Sequence, residues 1–415
     1  MNRTSILQIA HDHPDWTAGG TEILAHDLTR ALDSHEGISA RFLAAATALQ
    51  RPDDAPGTLS AHGSDFVLRT GAYDRFSMVR LDGTDWLAGL ARVLRTVRPD
   101  IVHLHGLDRI GVEVIPAVKR MARKARIVLT LHDYQLICAN DGLLLTQGEG
   151  ARCRGARADR CHGCFPAINT ARHALRKAHL MAVLDLVDAF IAPSRFLRER
   201  FIDWGLDPAR IRLVPNAVAG LEAPQTALET RARRNRFAFF GNIAPHKGPL
   251  VLLDAAARLG GEDVSVTLHG GLRWAEPAFR AAFEAGLAAA RPVAQHLGPY
   301  DRCEVQRLMR GCDWVVVPSL WWENAPLVIL EAQAAARPVI CSGLGGMAEM
   351  VTHGITGLHV PAGDAAALAE TMRQAASDPD LWERLAAWAP KTGAHDAFVA
   401  QHLELYSGLC NRVPA

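Results

Sequence analysis

The sequence predicts an α/β protein made of two doubly wound domains in series. Three observations predict it. Short β-rich apolar runs alternate with segments whose apolar residues recur at helical spacing, the pattern of βαβ units around a parallel sheet. That alternation stops once, over residues 218–236, and then restarts. The 415 residues suffice for two or three domains, each with its own core.

The elements follow in order. Ile6–Ala10 is an apolar strand, and Thr21–Ser34 is a helix with Leu24, Leu28, Ala31 and Leu32 on one face. Arg41–Ala45 reads as a strand, and Trp86–Val97 as a helix with Leu87, Leu90, Leu94 and Val97 aligned. Asp100–Gly106 and Arg126–His132 are strands separated by a basic segment of helical length. A helix from about Thr170 leads to the strand Asp188–Ser194, and Ile211–Ala217 closes the first half. After the interruption come the strand Phe237–Asn242, helix Pro249–Leu259, strand Val264–Gly270 and helix Ala278–Ala290. Trp314–Ser319 (strand), Leu327–Ala336 (helix) and Pro338–Ser342 (strand) follow. Gly345–His353 then suggests a short helix and Gly357–Val360 a last strand. Ala365–Ala376 and Leu381–Ala389 read as helices broken at Ser377–Asp380. We therefore expect a first domain over 1–217 with a cysteine-containing insert at about 138–165, a linker over 218–236 and a second domain over 237–385. A C-terminal helical segment over 386–415 is expected to pack back on the first domain.

Composition excludes several classes. With 45 Lys plus Arg against 44 Asp plus Glu, the net charge of +1 argues against wholesale nucleic-acid binding. No apolar run reaches the length of a spanning helix, and Met1–Ser5 leads directly into a strand without a signal-peptide core, so a cytoplasmic protein is expected. Eight cysteines are too few for a disulfide scaffold in a chain of this length.

In such sheets ligands bind at the carboxyl ends of the strands, and several chemically capable residues fall there. Gly19-Gly20 lies between the first strand and first helix, where backbone can approach an anion closely; a plain turn would use the same pair. His103, His105, His132 and Asp133 sit at the ends of two other strands. Lys247 follows a strand of the second domain beside Gly248 and suits neutralisation of phosphate charge. Glu323 and Glu331 are separated by seven residues, the first on a loop and the second inside a helix that Pro326 starts. A charge on so apolar a helix needs a partner. Gly343–Gly346 opens the next helix, where backbone N–H groups can cradle a diphosphate.

Taken together, FFGNIAPHKGPLVLLDAA, PSLWWENAPLVILEA and PVICSGLGGMAEMVTHGITGLHVPAGD resemble, in order and spacing, the donor domain of the family 4 retaining glycosyltransferases. The first half is similar too, through Gly19-Gly20, DIVHLHG, TLHDY and LVPNAV. The resemblance implies the GT-B fold, two Rossmann-like domains facing across a cleft. It implies a nucleotide diphospho-sugar donor, UDP- or GDP-linked, and a sugar, glycolipid or lipid-linked acceptor, as in polysaccharide or glycoconjugate synthesis. Carried over, Lys247, Gly345 and Gly346 would hold the diphosphate, and Glu331 the ribose hydroxyls. Glu323, with the neighbouring Asn324, Ala325, Pro326 and Leu327, would hold the sugar. Gly20 would approach the phosphates, and His105 or His132 the reacting centre. The family often places an arginine where this chain has Asn242, so one cation on the diphosphate is absent or comes from elsewhere. No cofactor is expected for catalysis: the only Asp-x-Asp pair is Asp378-Pro379-Asp380, which reads as a turn rather than a metal-diphosphate clamp. A sugar-nucleotide epimerase, a phosphorylase on the same fold and a non-catalytic relative are the alternatives. The first two lack support in the E-x7-E run and in any evident pyridoxal-phosphate lysine.

Two features stand outside this pattern. Cys138, Cys153, Cys161 and Cys164 lie in a loop-like stretch of 27 residues, and three readings stay open: a structural zinc, unligated or redox-labile thiols, and an iron–sulfur cluster. Basic residues cluster at Lys119, Arg120, Arg123, Lys124 and Arg126, in the cysteine loop, and at Arg172, Arg176 and Lys177. They form either a solvated helix face or a peripheral contact with anionic lipid at the inner face of the membrane.

Overall fold

The computed structural model describes residues 3–17, 19–220, 233–273, 275–388 and 394–411. They form two compact units, Met1–Asn216 with His395–Ala415, and Ala217–Ala394. Of the linker expected at 218–236, residues 221–232 lie outside the described residues, as do 389–393 and 412–415 of the expected C-terminal segment.

The first unit is built on an eight-stranded sheet. Its strands are β1 (Thr4–Ala10), β2 (Ile38–Ala46), β3 (Leu59–His62) and β4 (Asp65–Arg69), then, after a small hairpin of β5 (Tyr73–Asp74) and β6 (Val79–Arg80), β7 (Ile101–His105), β8 (Arg126–Thr130), β9 (Ala189–Ala192) and β10 (Ile211–Leu213). The order is β10-β9-β8-β7-β1-β2-β4-β3, parallel except for β3, which runs antiparallel to β4. Its helices are α1 (Gly20–Asp33), α2 (Asp85–Val97), α3 (Val114–Met121), α4 (Ala158–Cys164), α5 (Thr170–Leu184) and α6 (Arg195–Trp204). The central strands are buried almost throughout, which is why they read as apolar runs. From β1 the chain winds first to β2 and β4, then back through β7 to β10. The reversal between β1 and β7 is a topological switch point, where the loops diverge and leave a crevice.

The second unit has six parallel strands: β11 (Arg236–Phe240), β12 (Ser265–His269), β13 (Ala294–Gly298), β14 (Trp314–Val317), β15 (Val339–Ser342) and β16 (Gly357–Val360). The order β13-β12-β11-β14-β15-β16 puts its switch point between β11 and β14. Helices α7 (Pro249–Arg258), α8 (Pro277–Ala289), α9 (Val305–Arg310), α10 (Leu327–Ala334), α11 (Gly345–Met350), α12 (Ala365–Ser377) and α13 (Pro379–Ala386) cover both faces. Alternate residues sort to opposite sides. Phe237, Phe239, Val266, Leu268, Trp314, Val316 and Ile340 pack with α7, α8, α12 and α13. Ala238, Phe240, Val315, Val317, Val339 and Cys341 pack with α9, α10 and α11.

The last helix, α14 (Ala394–Cys410), is assigned to the first unit apart from its first residue. Buried Tyr406 on it hydrogen-bonds His103 Nδ1 at 2.6 Å and Gln8 Nε2 at 3.2 Å. Asp378 caps α13, accepting from the Leu381 N–H at 2.8 Å, with Pro379 at the first helical position. The Asp-x-Asp pair is thus a helix start.

Candidate active site

In the second unit the switch point brings together two loops. Lys247 ends a short 3₁₀ turn (Pro245–Lys247) after β11, and Glu323 lies on the loop after β14. The Leu320 N–H donates to His246 O at 2.8 Å, which ties one loop to the other. Gly248 makes that approach feasible. Its φ is +71°, and a Cβ there would lie 2.0 Å from Pro318 O. The result is a contact between Lys247 Nζ and Glu323 Oε1 at 2.6 Å, with the Ser319 hydroxyl donating to the same oxygen at 2.9 Å. Burial works against the Glu323 charge, but the Lys247 ammonium outweighs it, helped by the Trp321 indole and Ser319, and holds the carboxyl below its ordinary range. Glu323 is therefore a buried carboxylate at neutral pH. Lys247 stays partly exposed and keeps donors for a further anion.

Two residues here escaped the sequence reading. The Trp321 ring stands 5.3 Å from Lys247 Nζ and 5.1 Å from the His246 ring. Its buried indole N–H has no hydrogen-bond partner of regular geometry. Burial first, then Lys247, pushes His246 down to about 4, so it is neutral. The signal was the aromatic pair directly before Glu323 on a strand-end loop, a place that packing alone does not require to be aromatic.

Glu331 lies on α10 and is buried. Pro326 is the residue immediately before that helix rather than within its first turn. Burial pushes the Glu331 carboxyl up to about 7, with only Arg302 opposing. Glu331 also acts electrostatically on half-buried Tyr300, whose ring lies edge-on to Phe240 at 5.7 Å. The sign of the pH effect follows. The folded state holds this proton up to about pH 7 and the unfolded state only to about 4.5, so stability falls as pH rises through that window, by about 3 kcal/mol in total. Glu331→Gln should therefore raise Tm at pH 8 and leave it nearly unchanged at pH 4.5; equal shifts at both pH values would contradict this burial.

Gly346 differs from the expectation. Its N–H donates to Glu323 O at 2.8 Å, and a Cβ on it would stand 1.3 Å from Asn324 O. That N–H is spent on positioning the Glu323 loop and is not free to cradle a diphosphate. Gly345 precedes it with φ +51°. Asn242 is exposed, Asn324 is buried, and Ala325 and Leu327 are half-buried beside them.

In the first unit, His105 and His132 meet at the carboxyl ends of β7 and β8. His105 Nε2 faces Gln8 Oε1 at 2.7 Å, so it carries the proton, and His132 Nε2 donates to His105 Nδ1 at 3.1 Å. The Gln8 amide reaches Tyr406, whose hydroxyl donates to His103, and His103 Nε2 meets Thr130 Oγ1 at 2.7 Å. Burial keeps all three imidazoles neutral, His132 down to about 3. Beside them stands an ion pair the sequence reading missed: His11 Nε2 to buried Glu22 Oε1 at 2.8 Å. Burial opposes the His11 charge, but Glu22 overrides it and raises His11 to about 9. Its Nδ1 is buried without a partner. Glu22 sits in the first turn of α1, and a Cβ on Gly19 would fall 2.3 Å from its Oε2. The glycine pair thus makes room for this carboxylate, and Gly20 begins the helix in an exposed position. An acid two residues after the glycine pair is all that the sequence shows of it.

Of the three readings of the cysteines, the arrangement supports unligated thiols rather than a preformed metal cluster. Cys138, Cys153, Cys161 and Cys164 are half-buried free thiols, and among the described residues no three of their sulfurs lie within 4.8 Å of one another. Four sulfurs around a zinc at ~2.3 Å would sit roughly 3.8 Å apart. Burial raises the Cys138 and Cys161 thiols, which keeps them protonated, and Cys153 Sγ donates to Gly155 O at 3.2 Å. The basic cluster is also partly committed. Lys119 and Arg126 pair with Asp188 at 2.5 and 3.3 Å, and buried Arg176 donates to Leu136 O and Gln135 O at 2.8 and 2.6 Å. Arg120, Arg123 and Lys124 remain exposed. No helix of the described residues is long and apolar enough to cross a membrane.

Each unit is a doubly wound parallel sheet with polar side chains at its switch point, a Lys–Glu pair in one and a histidine cluster beside a glycine turn in the other. Sequence comparison agrees: residues 18–219 match "Glycosyltransferase Family 4" and residues 225–392 match "Glycosyl transferases group 1". The chain belongs to this glycosyltransferase family and has the GT-B fold. A D-inositol 3-phosphate glycosyltransferase of Mycobacterium sp. (strain KMS) is 33% identical over 209 residues, 48% of this chain and 47% of that protein. The chain thus spans about half the length of the curated relatives it matches. Sucrose-phosphate synthase from Thermosynechococcus elongatus superposes with TM-score 0.71 at 20% identity, covering 99% of this chain and 100% of that one. Anabaena HepE in complex with UDP superposes with TM-score 0.67 at 18% identity, covering 98% and 100%.

Proposed function

We propose that this protein is a retaining glycosyltransferase that moves a sugar from a nucleoside-diphosphate sugar, UDP- or GDP-linked, to a hydroxyl acceptor without a metal ion in the catalytic step. The observation that carries the reading is the Lys247–Glu323 pair at the switch point of the second unit. A departing nucleoside diphosphate gains negative charge, and a preorganised ammonium at that position lowers the barrier. Lys247 binds the diphosphate with the N–H groups that Glu323 leaves free. Glu323, held ionised, accepts hydroxyls of the transferred sugar and stabilises positive charge at its anomeric carbon. The Trp321 indole N–H, which supports Glu323 without a hydrogen bond of regular geometry, offers the same sugar a donor. Glu331 accepts the ribose hydroxyls, and its raised pKa makes donor binding weaken as pH falls below about 7.

In the first unit the His11–Glu22 pair holds a fixed imidazolium next to the Gly19-Gly20 turn, a positive charge that suits an anionic ligand group. His105 and His132 are neutral hydrogen-bonding groups there, so they do not impose a pH break between 5 and 8. The curated relatives named above act, by their names, on inositol 3-phosphate; for this chain the acceptor class is a sugar, glycolipid or lipid-linked saccharide. We read the reaction as cytoplasmic, with exposed Arg120, Arg123 and Lys124 available to anionic lipid at the inner membrane face.

The test is incubation with UDP- and GDP-sugars and a panel of such acceptors, inositol phosphate included. The reading predicts acceptor-dependent release of nucleoside diphosphate and a product with the donor's anomeric configuration. Inverted product, or no release with any donor, would contradict it.

A further inference from the structure

A second cluster in the first unit has no part in this chemistry. Three segments meet there: the loop after β1, helix α1, and the β3–β4 hairpin. Its centre is His13, buried at 2% exposure. On one side, His13 Nε2 lies 3.3 Å from Asp65 Oδ2, and the same oxygen receives His26 Nε2 at 2.9 Å. On the other side, His13 Nδ1 lies 3.6 Å from Asp15 Oδ2, which His62 Nε2 meets at 2.8 Å. His62 and Asp65 flank the hairpin turn and pair across it. The ligand atoms of His13, Asp15 and His62 all fall within 4.8 Å of one another, as do those of His13, His26 and Asp65.

The two sets share His13, and its tautomer chooses between them. Asp65 is an acceptor, so the proton of a neutral His13 belongs on Nε2. The Asp15 backbone N–H, 3.2 Å from Nδ1, requires the same arrangement. Nδ1 is then a lone pair that accepts this backbone N–H and lies 3.6 Å from the Asp15 carboxylate; a metal ion bound there would displace the N–H contact. Two acceptors and a third imidazole nitrogen converge on one point, with the histidine backed by a carboxylate on its far nitrogen. That backing is the arrangement that orients and strengthens metal-bound histidines. Ligands ~2.0–2.1 Å from a tetrahedral zinc stand roughly 3.4 Å apart, and the observed 2.8 and 3.6 Å bracket that value. Side-chain exposure of 63% for Asp15 and 34% for His62 leaves the site an entry path.

We propose that His13 Nδ1, Asp15 and His62 Nε2 bind a divalent transition-metal ion, zinc by the nitrogen and oxygen character of the set, with Asp65 and His26 as its supporting shell. The ion clips the loop that leads into Gly19-Gly20 to the β3–β4 hairpin. It is structural and independent of the cysteines.

The experiment is zinc titration of the metal-stripped full chain against a chromophoric chelator, repeated with cobalt for its visible spectrum. Wild type should take up one equivalent, and its cobalt spectrum should lack thiolate charge-transfer bands. Asp15→Asn combined with His62→Ala, at an exposed and a half-buried position, should weaken zinc binding at least 100-fold with the circular dichroism unchanged. Cys161→Ser combined with Cys164→Ser should leave the affinity within a few-fold. Zinc uptake unaffected by the Asp15/His62 variant, loss of uptake in the cysteine variant, or no uptake by wild type would each overturn the proposal.

Discussion

Lys247→Ala should lower kcat by about 100- to 1,000-fold with the fold intact, the scale observed when one preorganised group at a developing charge is removed. Two effects combine. The leaving diphosphate loses the side-chain cation nearest Glu323. Glu323, still buried, loses the ammonium that outweighs burial, so its pKa moves upward. The residual kcat, measured at saturating donor so that the Glu331 effect on binding drops out, should therefore rise with pH over a range where the wild-type kcat is flat. Steady-state rates from pH 5 to 9 check both halves. A variant with unchanged kcat, or with a uniformly lowered but flat profile, would remove Lys247 or the pair from the mechanism.

Glu323→Gln separates the roles of the two partners. The amide keeps the shape and can still accept from Ser319, but the negative charge is gone. Transfer should fall by about 100-fold or more, because stabilisation of positive charge at the sugar is a transition-state contribution. Binding of the bare nucleoside diphosphate should stay equal or tighten, because Lys247 no longer shares its ammonium with a carboxylate. Calorimetry with the diphosphate, set beside kcat for transfer, reads this split. Weakened diphosphate binding with normal transfer would reverse the assignment.

The sequence was informative where burial is continuous. The central strands of both sheets are buried on both faces and mostly apolar, so Ile6–Ala10, Asp100–Gly106 and Trp314–Ser319 were legible as strands within a residue or two. It was silent at strands such as β3, β4 and β13, while the edge strand β16 was legible. β3, β4 and β13 alternate exposed and buried residues or carry His, Gln and Asp, and sheet pairing, not hydrophobicity, makes them strands. The same division runs through the site. Lys247, Glu323 and Glu331 were visible by position after strands. Trp321, His11 and Glu22 were not, because what distinguishes them is a missing or buried partner, which only the folded chain reveals. The spacing of Cys138, Cys153, Cys161 and Cys164 suggested a metal, whereas the side chains that converge with metal-ligand distances, His13, Asp15 and His62, are scattered over the first 62 residues with no motif spacing.

The most direct measurement is calorimetric titration of UDP, GDP and their sugars into wild type and Lys247→Ala, in EDTA and then with Mg2+ restored. If an ammonium does the work of a cation, one nucleotide series binds wild type equally in both buffers and binds the variant at least 10-fold more weakly. Binding that disappears in EDTA and returns only with Mg2+, or that is indifferent to Lys247, would contradict the account.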